Sequence, residues 1–304
     1  MAMMEKGQER PAKAAKAKPQ QANPPQIKRV VLVASEKGGV GKSVVTRTLV
    51  DYLRTHGHRV AAFDADGGVG ATLRVLGARN AEGTILDQQN PVEGVGYYNG
   101  RLDEERNLLL DAIETGEALY VHDLAGGLLA DLTRIVDDGQ GLTGLLNAFD
   151  VHGYRLTVLH LISPDIGSTQ SVKRWLELTV TPEEDATGSS EDESAKFRAD
   201  HVAVVNLGHR RTAPADFPFW FGFDQGAVRR GGKTREELLK SGGLEVTFPG
   251  LPAGTFAKLD SENVPFSRAA EAGLLTITER AHVAKFLADF EAAFNPVFKL
   301  LGLP

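Results

Sequence analysis

The run Val30-Val31-Leu32-Val33-Ala34-Ser35, followed at once by Glu36-Lys37-Gly38-Gly39-Val40-Gly41-Lys42-Ser43, decides how this chain folds. Its first half is apolar and rich in β-branched residues, as a parallel strand buried on both faces requires. Its second half is a glycine-rich turn, and a helical stretch from Ser43 to about His56 opens directly after it. Glycines let successive backbone N–H groups converge on one concavity, and the helix N-terminus adds partial positive charge, so an anion binds there without a dedicated cage. In such a phosphate loop Lys42 reaches the β- and γ-phosphates of a nucleotide, and the Ser43 hydroxyl ligates Mg2+.

Short apolar runs recur at Arg59–Phe63, Ala118–His122, Arg155–Ile162, His201–Asn206 and Leu244–Phe248, with helical stretches between them, one over Leu102–Glu114. The alternation predicts βαβ units and an α/β fold: a single doubly wound, mostly parallel sheet flanked by helices. The last helix is expected to start at Thr276, where Glu279 completes a capping box. Val283, Phe286, Leu287, Phe290 and Phe294 then share one face. Two segments interrupt the alternation: residues 181–200, acidic and poor in apolar residues, and residues 208–243, which combine aromatic and basic clusters.

Composition narrows the chemistry. The 304 residues include no cysteine, which excludes disulfides, thiolate zinc sites, Cys-held iron–sulfur clusters and a Cys nucleophile. No apolar stretch reaches the roughly 18 residues of a membrane span, and the N-terminus lacks the apolar centre of a secretory signal, so a cytoplasmic protein is expected. The net charge of −6 is unevenly spread: residues 1–30 sum to +5 and the remaining 274 to −11. Residues 1–27 read as a disordered basic tail ahead of a P-loop domain over 28–304. The tail is either a solubilising extension or a contact for nucleic acid or an acidic partner.

The phosphate loop departs from the plain G-x-x-x-x-G-K-[ST] pattern, because Glu36 stands where Gly is required and Lys37 adds a second lysine. K-G-G-x-G-K-[ST] is the deviant Walker A signature, and the chain resembles the ParA/MinD family of P-loop ATPases over about residues 28–295. The resemblance implies ATP and Mg2+ as cofactors and a homodimer formed on ATP binding, with Lys37 reaching the partner's nucleotide. Gly38 to Val44 would cradle the phosphates. Asp64 and Asp66, in Phe63-Asp64-Ala65-Asp66, look like the family's D-x-D element: Asp66 would place the attacking water, and both would support the metal together with Ser43. Asp123-Leu124-Ala125-Gly126 resembles Walker B and switch II, where many relatives have D-T-P or D-x-P, with Asp123 acting on Mg2+ through water. Asn206 matches the base-recognition asparagine, although a strand-ending Asn is often only a turn former. Pro252 falls where relatives close over the base, and Val264–Ala270 resembles their closing segment.

The implied function is a slow ATPase acting as a dimerising switch that segregates or positions plasmid DNA, a conjugation complex or other cargo through a protein adaptor. The insertion after Asn206 looks more like the plasmid-stability and conjugative-transfer branch. The alternative on the same scaffold is an ATP-dependent ligase or carboxylase of the dethiobiotin synthetase type, which needs a second substrate pocket. Phe217, Phe219, Phe221 and Phe223 alternate with period two, as in an edge strand or hairpin, and form either a buried cluster or a docking patch. Arg229, Arg230, Lys233, Arg235 and Lys240 are either a solvated face or a nonspecific DNA contact, which would associate the protein with the nucleoid. The last helix carries Asp289 and Glu291 on its polar face, which favours packing on the sheet over membrane anchoring.

Overall fold

Val30 to Val33 are wholly buried because they form the middle strand of a seven-stranded parallel sheet. The computed structural model describes residues 27–180, 198–208 and 211–303. The basic tail up to residue 26 and residues 181–197 of the acidic segment lie outside the described residues. The strands are β1 (Lys28–Ala34), β2 (Ala61–Asp64), β3 (Gly96–Tyr97), β4 (Leu119–Asp123), β5 (Tyr154–Ile162), β6 (Asp200–Asn206), β7 (Phe223–Gln225), β8 (Val228–Arg230) and β9 (Leu244–Phe248). The large sheet runs in the order β3-β2-β4-β1-β5-β6-β9, while β7 and β8 form a separate antiparallel hairpin. The chain leaves β1 toward one edge and crosses to the other after β4, so a crevice opens at the carboxyl ends of β1, β4 and β5. Register places Asp64 beside Asp123, and Val33 beside Asp123 on the other side.

Alternation along β1 serves two cores. Val31 and Val33 face the phosphate-loop helix (Lys42–Thr55) and the C-terminal helix (Ile277–Leu300), whereas Val30 and Leu32 face a layer containing Leu109, Leu145, Phe149 and Trp175. The C-terminal helix begins as expected: Thr276 caps it and exchanges hydrogen bonds with Glu279. Its Phe286, Phe290 and Phe294 all lie against Phe248 of β9, so this helix packs on the sheet. Among the described residues no helix is long and apolar enough to cross a membrane.

Two expectations are corrected. Leu102–Glu114 is not one helix but two single turns, Asp103–Arg106 and Leu108–Asp111, continued by a 3-10 turn at Ala112–Thr115. The aromatic run is not a period-two strand: Pro218 opens a helical turn, Pro218–Phe221, and Phe217 and Trp220 are buried three residues apart. Proline at the first helical position is pre-set for that turn and has no N–H to lose. Only Phe223 enters the hairpin.

Phe290 is fully buried, with its ring centroid 4.3 Å from Phe294 and 5.6 Å from Tyr52 of the phosphate-loop helix. Phe290→Ala should lower the unfolding free energy by about 3–5 kcal/mol, measured by urea denaturation. A loss under about 1 kcal/mol would contradict the packing of this helix on the sheet.

Candidate nucleotide-binding site

The phosphate loop curls because two of its glycines take a backbone that side chains resist. Gly39 has φ +71° and Gly41 φ +100°, and a Cβ on Gly41 would stand 2.5 Å from the Asn206 Nδ2 atom. Asn206, at the end of β6, donates from Nδ2 to the Val40 carbonyl at 2.7 Å, and its Oδ1 accepts the Gly208 N–H at 2.9 Å. On the opposite side the loop meets the segment after β4: a Cβ on Gly126 would come within 3.1 Å of the Gly38 nitrogen. A side chain on the D-x-x-G glycine would therefore press on the loop backbone.

Gly38, Gly39, Gly41, Lys42, Ser43 and Val44 line one cleft of about 330 Å³ with Asp64, Asp66, Asp123 and Leu124–Gly126. Lys42 is buried, and its Nζ donates to the Lys37 carbonyl at 3.3 Å. Desolvation lowers the pKa of Lys42 against the raising influence of Asp123, Asp66 and Glu36. Asp64 is buried and accepts the N–H groups of Asp66 (3.1 Å) and Leu73 (3.0 Å), and burial pushes its pKa up. Asp123 is pushed up too, by burial and then by Asp64, against the lowering effect of Ser43, Thr72 and Lys42. One Asp123 oxygen accepts the Thr72 hydroxyl at 2.7 Å, while Oδ1 is buried without a partner. Asp66 is exposed at the cleft.

An orphaned carboxylate oxygen, a second buried carboxylate and the Ser43 hydroxyl fit a hard cation with oxygen ligands. Among the described residues no group of three or more His, Asp or Glu could hold a metal ion by itself.

Lys37 points elsewhere. Its ammonium pairs with Asp165, which caps the helix Ile166–Thr179, and both side chains are about half exposed. The pairing holds the Asp165 carboxyl below its ordinary pKa. Beyond Val40 and Val44, a smaller cleft of about 120 Å³ is walled by Asn206, Phe248, Leu251, Phe256 and Phe266. Pro252 caps the helix Ala253–Ser261; its neighbours Leu251 and Ala253 line this cleft.

Residues 31–282 match the family described as the CobQ/CobB/MinD/ParA nucleotide binding domain. The chain belongs to this family. No curated protein sequence matches it. Among solved structures, the MinD cell division protein of Aquifex aeolicus is 14% identical, covers 91% of this chain and 98% of its own, and has a TM-score of 0.45. The septum site-determining protein MinD of Pyrococcus horikoshii, solved with Mg-ADP, is 15% identical, with coverage of 90% and 97% and a TM-score of 0.45. A ParA family ATPase from Chlorobium tepidum is 12% identical, with coverage of 88% and 98% and a TM-score of 0.47.

In this chain of the CobQ/CobB/MinD/ParA family, several residues at the site carry no motif. Thr72 and Asp165 are two, and Arg101, which donates to the Gly126 carbonyl at 2.6 Å, is a third. In sequence Arg101 is one charged residue among many, two residues after Asn99. The basic stretch of the insertion is partly engaged: Arg235 pairs with Glu245 and lies over the Phe221 ring, Arg229 donates to the Phe221 carbonyl and pairs with Asp224, and Arg230 bonds Gln225.

The buried carboxylates lead to a stability prediction. A carboxyl whose folded pKa is raised adds most stability below its unfolded pKa, about 4, and loses it as pH rises through the folded value. Without metal and nucleotide, Asp123→Asn should therefore be more stable than the parent chain at pH 8, by roughly 2 kcal/mol, and the gap should shrink toward pH 5. Urea midpoints at the two pH values measure it; a gap that is absent, or independent of pH, would mean that Asp123 carries no buried-charge penalty.

Proposed function

We propose that the chain is a Mg2+-dependent ATPase that works as a dimerising switch of the ParA/MinD type, positioning or segregating a cargo such as plasmid DNA or a conjugation complex through a protein adaptor. The observation that carries this reading is the single cleft shared by the phosphate loop, both D-x-D carboxylates and the Asp123–Gly126 segment.

In this reading the loop amides and Lys42 hold the β- and γ-phosphates, with Ser43 and Asp123 on the ion side. Mg2+, when bound, neutralises charge on the transferring phosphoryl oxygens. Asp66, exposed at the cleft mouth, orients water for in-line attack and accepts its proton. Gly126, against Gly38, reports γ-phosphate loss to the segment after β4. Asn206 and the aromatic wall at Phe248, Phe256 and Phe266 receive the base. Lys37 serves the partner subunit's nucleotide by exchanging Asp165 for phosphate. That exchange is inexpensive, because a half-exposed ion pair contributes only about 0–1 kcal/mol. A ligase would need a substrate pocket joined to the phosphates. A cleft of about 720 Å³, at Arg54, Arg79 and Arg268, shares no lining residue with the phosphate cleft, whereas one of about 490 Å³ at Ser163, Asp165 and Phe219 shares Gly38 and Gly39 with it and, in this reading, holds Lys37 for the partner subunit's nucleotide.

Lys42→Ala should abolish ATP binding in calorimetry; retained affinity would end the phosphate-loop assignment. Asp66→Ala should bind ATP and accumulate as a dimer in light scattering, with turnover lowered at least 100-fold, the scale of a lost general base. A monomer with normal turnover would remove both the role of Asp66 and the switch.

A further inference from the structure

We infer that Thr72 is a positioning residue for the Asp123 carboxylate, presenting one of its oxygens to the ion side of the cleft. The inference deepens the proposed function and rests on its reading of the cleft as a Mg2+–nucleotide site.

Thr72 is fully buried in the short helix Ala71–Leu76, which follows the D-x-D loop directly. An ionised carboxylate only accepts hydrogen bonds, so the 2.7 Å contact has the Thr72 hydroxyl donating to Asp123 Oδ2. The terminal torsion of an aspartate is broad and has no sharp intrinsic preference. A fixed donor on one oxygen sets it, and the other oxygen, Oδ1, is then left buried without a protein partner. The cleft that Asp123 lines also holds Lys42 and Ser43.

The donor is itself held in place. A helix of six residues has no independent stability in water. This one is anchored on one side by the Leu73 N–H bonding Asp64 at 3.0 Å. On the other side Arg74 grips both carboxylate oxygens of Asp260, at 3.1 and 3.0 Å, and the Asp260 carbonyl at 2.7 Å. Asp260 also accepts from Arg47 of the phosphate-loop helix at 2.7 Å. The hydroxyl that orients Asp123 is therefore fixed relative to the helix that carries Lys42 and Ser43.

The test is calorimetric titration of the full chain with ADP, in Mg2+ and in EDTA, for the parent, Thr72→Val and Thr72→Ser. Thr72→Val keeps the shape and removes the donor; Thr72→Ser keeps the donor. The parent should bind ADP more tightly in Mg2+. Thr72→Val should lose about tenfold of that Mg2+-dependent gain, 1.4 kcal/mol, with EDTA affinity unchanged, and Thr72→Ser should recover it to within about twofold. A Thr72→Val protein with the parent's full Mg2+ gain overturns the positioning role alone. So does a variant that loses affinity equally in Mg2+ and EDTA, since that is the mark of a merely structural residue. A parent chain whose ADP affinity ignores Mg2+ overturns the metal reading and the inference with it.

Discussion

The site is organised around two carboxylates that the sheet forces together. Parallel pairing of β2 with β4 puts Asp64 in register with Asp123 at their carboxyl ends, and both are buried. Like charges brought together out of water are strongly disfavoured, and burial penalises each of them further. What surrounds the pair compensates it: the Asp66 and Leu73 amides on Asp64, the Thr72 hydroxyl on Asp123, and the Lys42 ammonium in the same cleft. One oxygen stays unsatisfied. The arrangement thus carries an electrostatic penalty set by the register of β2 and β4, and in the proposed reading a cation in the cleft would relieve it.

The phosphate loop is confined by close contacts rather than by its own stiffness. Asn206 fastens the Val40 carbonyl on one side, leaving no room for a side chain on Gly41, and Gly126 abuts Gly38 on the other. A loop wedged between the ends of two strands has few conformations left to lose, so a ligand bound there would cost little ordering entropy. In the proposed reading, the contact between Gly126 and Gly38 is where a change at the phosphates would pass to the segment after β4.

Much of this was legible in the sequence because it is local. The run Val30–Ser35 and the glycine spacing after it fixed strand, turn and helix in succession, and the carboxylates at 64, 66 and 123 stood at the ends of recognisable apolar runs. The Thr276–Glu279 cap was readable for the same reason. What escaped depends on contacts between distant residues. Nothing near Thr72 in sequence reveals Asp123, 51 residues on, and nothing near Lys37 reveals Asp165, 128 residues on. The wall of Phe248, Phe256 and Phe266 arises only when β9 and two later segments converge. In the aromatic run, alternate phenylalanines mimic a strand, whereas Pro218 and the buried pair Phe217 and Trp220 set a helical turn.

The most direct measurement is a crystal structure of the chain with Mg2+ and a non-hydrolysable ATP analogue. The account predicts the β- and γ-phosphates against the amides of Gly38 to Ser43, the ion about 2.1 Å from the Ser43 hydroxyl, and Asp123 still bonded to Thr72. Phosphates bound elsewhere, as in the cleft at Arg54, Arg79 and Arg268, or an ion held away from Ser43 and Asp123, would contradict it.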